Sequence, residues 1–100
     1  MFDDLLGNIG EHQKEMQEKL SAITVQYDAN GVTIIGNAAR QITDIKLTDD
    51  IFSSGDKEMV QDLILDALNK FIEKQMSVET EESQKFMESM LPPGFGNLFK

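Results

Sequence analysis

The chain has 100 residues, the length of one small domain, and its formal net charge of −9 is strongly acidic. It contains no cysteine, which excludes disulfides, thiolate catalysis and zinc–thiolate sites. No apolar stretch approaches the roughly 20 residues that a membrane-spanning helix needs, and the N-terminus lacks the pattern of a signal peptide, so we expect a cytoplasmic protein with no membrane partner.

A first helix is predicted near the N-terminus. Gly7 and Gly10 weaken its start, so the firm part runs from about Glu11 to Ala22. The helical stripe is polar at His12 and Gln13, which indicates that this part projects beyond the core. The apolar residues at helical spacing are Leu5, Leu6, Ile9, Met16, Leu20 and Ile23.

A three-stranded antiparallel meander is predicted next. Asn30-Gly31 stands between two alternating apolar runs, which is a strong signal for a two-residue hairpin turn. This register pairs Tyr27 with Ile34 and Val25 with Gly36, and Gly36 would leave room for a large neighbour. A second turn near 37–40 leads to a third strand over 41–47, with Ile45 and Leu47 on one face.

A long amphipathic helix follows a predicted loop over 48–55, in which Ile51 and Phe52 are expected to tuck under the helix. The helix is clear from Asp56 to Met76; beyond it the pattern allows one continuous helix, or a break and a short helix. Pro92-Pro93-Gly94 is expected to end it. We therefore predict one α+β domain over 1–91 and a tail over 92–100.

The apolar face of the long helix is wider than a sheet of three strands needs. Three strands also leave two edges to protect, so we predict a homodimer formed through the sheet edge or the helices. The residues predicted for the core or the dimer interface are Met59, Val60, Leu63, Ile64, Leu68, Phe71 and Ile72.

Catalytic and metal-binding patterns are absent from the sequence. The only histidine, His12, is predicted to be a solvated surface side chain. The acidic runs at 49–50 and 79–82 lack the alternating ligands and turn glycine of a calcium loop. We expect no enzyme, no metal and no cofactor.

Several local strings, in the same order of elements, resemble the YbaB/EbfC family of bacterial nucleoid-associated proteins. These strings are His12 to Leu20 in the first helix, Asp56 to Ile64 at the opening of the long helix, Ala67 and Asn69 within it, and Leu91-Pro92-Pro93-Gly94-Phe95 near the end. The resemblance covers nearly the whole chain.

The resemblance implies a tweezer-shaped homodimer whose projecting helices contact double-stranded DNA with little sequence preference, located at the nucleoid. The implied DNA contacts are cations on the arms: Lys14 and Lys19, with Lys74 and Lys85 behind them.

The charge leaves an alternative open. A dimer carries twice −9, or −18, and backbone binding requires cations that neutralise phosphates. The same fold could instead be an acidic protein–protein interaction module that has lost DNA binding. Its partner would be a basic or apolar protein surface.

Overall fold

The computed structural model describes residues 2–90, with side chains from residue 10 onward. The elements in chain order are α1 (Phe2–Ser21), β1 (Thr24–Ala29), β2 (Val32–Asn37), β3 (Ile42–Leu47), α2 (Asp49–Phe52) and α3 (Lys57–Met90). The three strands form one antiparallel sheet in the order β1-β2-β3. The predicted α+β architecture of helix, sheet and long helix is confirmed.

The hairpin between β1 and β2 has the predicted register. Tyr27 is paired with Ile34, and Val25 is paired with Gly36. Asn30 and Gly31 have φ angles of 54° and 82°, the positive values that a two-residue hairpin turn requires at both positions. The local turn chemistry of this segment therefore fixes how the first two strands align.

The core lies between the inner face of the sheet and α3. Val32 and Ile34 of β2 and Phe71 of α3 are almost completely buried. A Cβ atom at Gly36 would lie 2.8 Å from Cζ of Phe71 and 2.1 Å from the backbone oxygen of Gln41. The absence of a side chain at Gly36 thus lets the Phe71 ring lie directly over the central strand, as the sequence predicts.

The two edges of the sheet differ. At the β1 edge, the ammonium of Lys74 donates a hydrogen bond of 2.5 Å to the backbone oxygen of Gln26. A lysine at an edge opposes pairing with another strand. At the β3 edge, Ile42 and Ile45 remain exposed, because α3 packs mainly on β1 and β2.

Two sequence predictions about the loop over 48–55 are wrong. Residues 49–52 form a short helix, because Thr48 is its N-cap and its side chain accepts from the amide of Ile51. Ile51 is half-buried, but Phe52 is 80% exposed and does not tuck under α3. Of the two possibilities left open for α3, the continuous helix is found.

The α1 helix and the second half of α3 extend beyond the sheet and together form an elongated arm, with described side chains in residues 10–21 and 79–90. The radius of gyration is 18.9 Å and the extents are 63 × 31 × 17 Å, whereas a compact chain of this length has a radius of about 13 Å. None of the described helices combines the length and apolar character that crossing a bilayer requires. The predicted ending at Pro92-Pro93-Gly94 and the tail over 92–100 lie outside the described residues.

Candidate nucleic-acid interface

The root of the arm is the place where α1, the β2–β3 turn and α3 meet. The amide of Ala38 donates to the backbone oxygen of Leu20, which fixes the end of α1 beside the turn. A cavity of about 300 Å³ opens between the three elements. Its lining residues are Met16, Gln17, Leu20, Ala39, Arg40, Glu79 and Ser83.

The β2–β3 turn is held by two side-chain amides. The side-chain oxygen of Asn37 accepts from the backbone amides of Ala39, at 2.9 Å, and Gln41, at 3.3 Å. From α3, the buried side chain of Gln75 donates to the backbone oxygens of Asn37, at 2.9 Å, and Gln41, at 3.3 Å. The turn is therefore fixed both internally and to the long helix.

Arg40 projects from this turn onto Glu79 in a two-pronged ion pair. Its Nε donates to one carboxylate oxygen at 2.8 Å, and its Nη2 donates to the other at 2.9 Å. These bonds from Glu79 raise the pKa of Arg40 above its already high ordinary value. The pair joins the turn to the second half of α3.

The four lysines implied as DNA contacts do not form one patch. Lys14 and Lys19 are exposed on α1, and their separation of five residues turns them about 140° apart around the helix. Lys74 lies over the sheet, in the part of the molecule that we call the body, and its ammonium donates to the backbone of β1. Lys85 is on the outer part of α3.

The carboxylates of the arm restrict Lys85 in particular. Its ammonium lies 3.4 Å from Glu82 and 3.5 Å from Glu81, and the charge of Glu82, followed by that of Glu81, raises the pKa of Lys85. Lys14 and Lys19 form no ion pair with any of the described side chains. Of the three arm lysines, Lys14 and Lys19 are thus the more available for an anion.

A second surface, the apolar flank, lies along β3 and the neighbouring side of α3, where the helix leaves the sheet uncovered. It is formed by exposed apolar side chains of both elements: Leu65, Ile72 and Met76 of α3, and Ile42 and Ile45 of β3. Ile72 precedes Glu79 by two helical turns, so it is on the side of α3 that faces the β2–β3 turn. Ile45 pairs with the buried Ile34 and therefore lies on the sheet face that α3 covers.

The residues predicted for the core or the dimer interface separate into two groups. Phe71 is fully buried in the core, and four others are partly buried: Val60, Leu63, Ile64 and Leu68. Ile72 and Met59 are 43% and 37% exposed. Ile72 belongs to the apolar flank, whereas Met59 lies about 140° away around α3.

Sequence reasoning missed two residues at the root of the arm, Arg40 and Gln75. Gln75 interrupts the apolar stripe of α3 one turn after Phe71, which is a signal that its amide has a buried partner. Arg40 is the chain's single arginine, and it follows a turn signal. Neither pattern identifies Glu79 as the partner of Arg40.

Comparisons with known proteins agree with one another. The family model of the YbaB/EbfC DNA-binding family matches residues 2–90. A nucleoid-associated protein of Koribacter versatilis is 28% identical over 96 residues, covering 94% of this chain and 95% of the relative. Nucleoid-associated proteins of Bacillus cereus and Bacillus thuringiensis are 34% identical over 80 residues, covering 78% of this chain and 73% of each relative.

Proposed function

The chain belongs to the YbaB/EbfC DNA-binding family, and we propose that it is a non-catalytic, nucleoid-associated homodimer whose arms bind the backbone of duplex DNA. The observation that carries the proposal is the family match over residues 2–90, which includes both arm helices and the sheet. The protein acts in the bacterial cytoplasm, at the nucleoid. The acidic interaction module has no comparable support, since the matched relatives cited above are named for association with the nucleoid.

The dimer is formed through the apolar flank. This surface combines a sheet edge with exposed apolar side chains of the neighbouring helix, and the opposite edge is occupied by Lys74. Contiguous exposed apolar surface of this kind is typical of an association site. A second copy can bury the flank through a twofold axis, because each copy presents the same surface to the other.

The DNA contacts are Lys14 and Lys19 on α1, which lie on the projecting part of the molecule and have no carboxylate partner among the described side chains. Lys85 contributes less because Glu81 and Glu82 hold it. Lys74 contributes least because its ammonium is bonded to the body. All of these contacts are to phosphates, which accounts for low sequence preference.

The acidic surface makes this binding weak and sensitive to salt. In the described arm segments, 10–21 and 79–90, seven carboxylates outnumber three lysines. The net charge of the arms therefore repels DNA phosphates, and only the few lysines attract them. Each phosphate contact contributes a slope of about −0.9 in a plot of log affinity against log salt.

Replacing Lys14 and Lys19 together with glutamine is expected to weaken DNA binding at least about tenfold at 50 mM salt and to reduce the salt slope by about 3 to 4, since a dimer loses four phosphate contacts. The measurement is fluorescence anisotropy of a labelled mixed-sequence duplex. The matched control replaces Lys57 and Lys70, on the body part of α3, with glutamine. It removes the same charge but should leave the slope nearly unchanged; equal losses in both variants would refute the assignment to the arms.

A further inference from the structure

We infer that Arg40 is a phosphate contact at the root of each arm and that Glu79 occupies its guanidinium until a DNA phosphate displaces the carboxylate. This inference rests on the proposed DNA binding. It adds Arg40 to the phosphate contacts and makes the Glu79 carboxylate a competitor of the DNA. The observation behind it is the two-pronged ion pair between Arg40 and Glu79.

The chemistry of the ion pair fits an anion site. A guanidinium forms parallel hydrogen bonds to carboxylate and phosphate oxygens in the same forked geometry, which a lysine ammonium cannot do. Arg40 is the only side chain of this type in the chain. Glu79 therefore holds it in the arrangement that a backbone phosphate would require.

The exposure of the two partners indicates which one a ligand can reach. The side chain of Arg40 is 74% exposed, whereas that of Glu79 is 22% exposed. The guanidinium is the outer partner, so an incoming phosphate meets the arginine. An exposed ion pair is weak because water screens the two charges, which makes exchange of one anion for another feasible.

The backbone at Arg40 is already organised for this role. Its φ angle is 67°, in the left-handed region that few non-glycine residues adopt. Asn37 and Gln75 hold the surrounding turn by hydrogen bonds that do not involve the Arg40 side chain. Release of Glu79 would thus leave the arginine in place, with only its side chain to reorient.

Arg40 also shares a cavity with residues of the helix that carries the proposed DNA contacts. Gln17 of α1 lines the same cavity as Arg40 and Glu79. Lys14 is three residues before Gln17 and so is its neighbour on the helix surface. Lys14 is therefore next to the residue of α1 at the rim of this cavity, and we expect a DNA backbone that contacts Arg40 to pass near Lys14.

The test compares Glu79→Gln with Glu73→Gln in the full-length protein. Both changes remove one carboxylate from α3, but Glu73 pairs with Lys70 on the body instead of with Arg40. We expect Glu79→Gln to raise duplex affinity about tenfold and to steepen the salt slope by up to about 1.8, since each of two subunits gains a fully available phosphate contact. Glu73→Gln should raise affinity about twofold through net charge alone.

The double variant Arg40→Gln/Glu79→Gln distinguishes a phosphate contact from a merely structural clamp. If Arg40 contacts DNA, the gain from Glu79→Gln disappears in the double variant. Circular dichroism and thermal unfolding of each variant check that the arm helices remain formed. Glutamine at position 79 can still accept from Arg40, so the fold is expected to be retained.

Each result has a definite meaning. Equal affinities for Glu79→Gln and Glu73→Gln, or a gain that survives loss of Arg40, would overturn the role of Arg40 while leaving the proposed DNA binding intact. Absence of binding by every variant at low salt would overturn both. Binding by Glu79→Gln but not by the unaltered protein would support the inference and show that Glu79 controls access.

Discussion

Ile72→Glu is expected to convert the proposed homodimer to a monomer. Ile72 lies between Leu65 and Met76 in the apolar flank, and a twofold interface contains each residue twice. Leaving a charge buried without a partner costs several kcal/mol, so two glutamates should raise the dissociation constant at least about a thousandfold. Sedimentation velocity at micromolar concentration measures the change as a shift from dimer to monomer mass.

Met59→Glu is the matched control for this prediction. Met59 and Ile72 are similarly exposed on the same helix, but only Ile72 faces β3. The Met59 variant should therefore remain dimeric. Dissociation by both variants would indicate a general effect of added charge, and a dimeric Ile72→Glu protein would place the interface elsewhere.

Loss of the dimer should also weaken DNA binding. A dimer presents two arms to one duplex, whereas a monomer presents one. The salt slope of the Ile72→Glu variant should fall to about half, since the number of phosphate contacts is halved. This coupling separates a functional dimer from one that only improves stability.

Phe71→Ala is expected to lower the free energy of unfolding by about 3 to 5 kcal/mol, the usual cost of removing a buried aromatic ring. The Phe71 ring is completely buried and lies against the backbone of Gly36. The space left by the missing ring cannot close readily, because it lies between the central strand and the α3 helix. Urea denaturation followed by circular dichroism gives the free energy, with all variants at one protein concentration because the proposed dimerisation would contribute to stability.

Met87→Ala provides the reference for this measurement. Met87 lies on the same helix but is well exposed, and changes at such positions usually alter stability by less than about 0.5 kcal/mol. A loss below about 1 kcal/mol for Phe71→Ala would contradict the packing of α3 over the central strand.

The parts of the fold that sequence predicts are those that short-range chemistry determines. Asn30-Gly31 specifies a turn with two positive φ angles, and this turn alone sets the pairing of Tyr27 with Ile34. The short helix at 49–52 was missed because its signal, the Thr48 cap, is weak beside the polar composition of the segment. Phe52 was misplaced because hydrophobicity alone does not say whether a side chain is buried in its own chain.

The candidate site is less predictable because it depends on long-range contacts. Arg40 and Glu79 are 39 residues apart, and no periodicity links a turn residue to one side chain on a long helix. The width of the apolar face predicts that α3 has more than one partner surface. It does not indicate which flank remains exposed; that depends on α3 lying over β1 and β2 instead of over β3.

The most direct test of DNA binding is the salt dependence of the affinity of the unaltered protein for a mixed-sequence duplex. If Lys14 and Lys19 supply the proposed four phosphate contacts per dimer while Glu79 holds Arg40, the slope is about −3.6 and the affinity falls more than about a hundredfold between 50 and 200 mM salt. Full release of Arg40, as expected for Glu79→Gln, would steepen the slope to about −5.4. Failure to bind at 50 mM salt, or binding that does not change with salt, would contradict the account of an acidic dimer that holds DNA through a few arm cations.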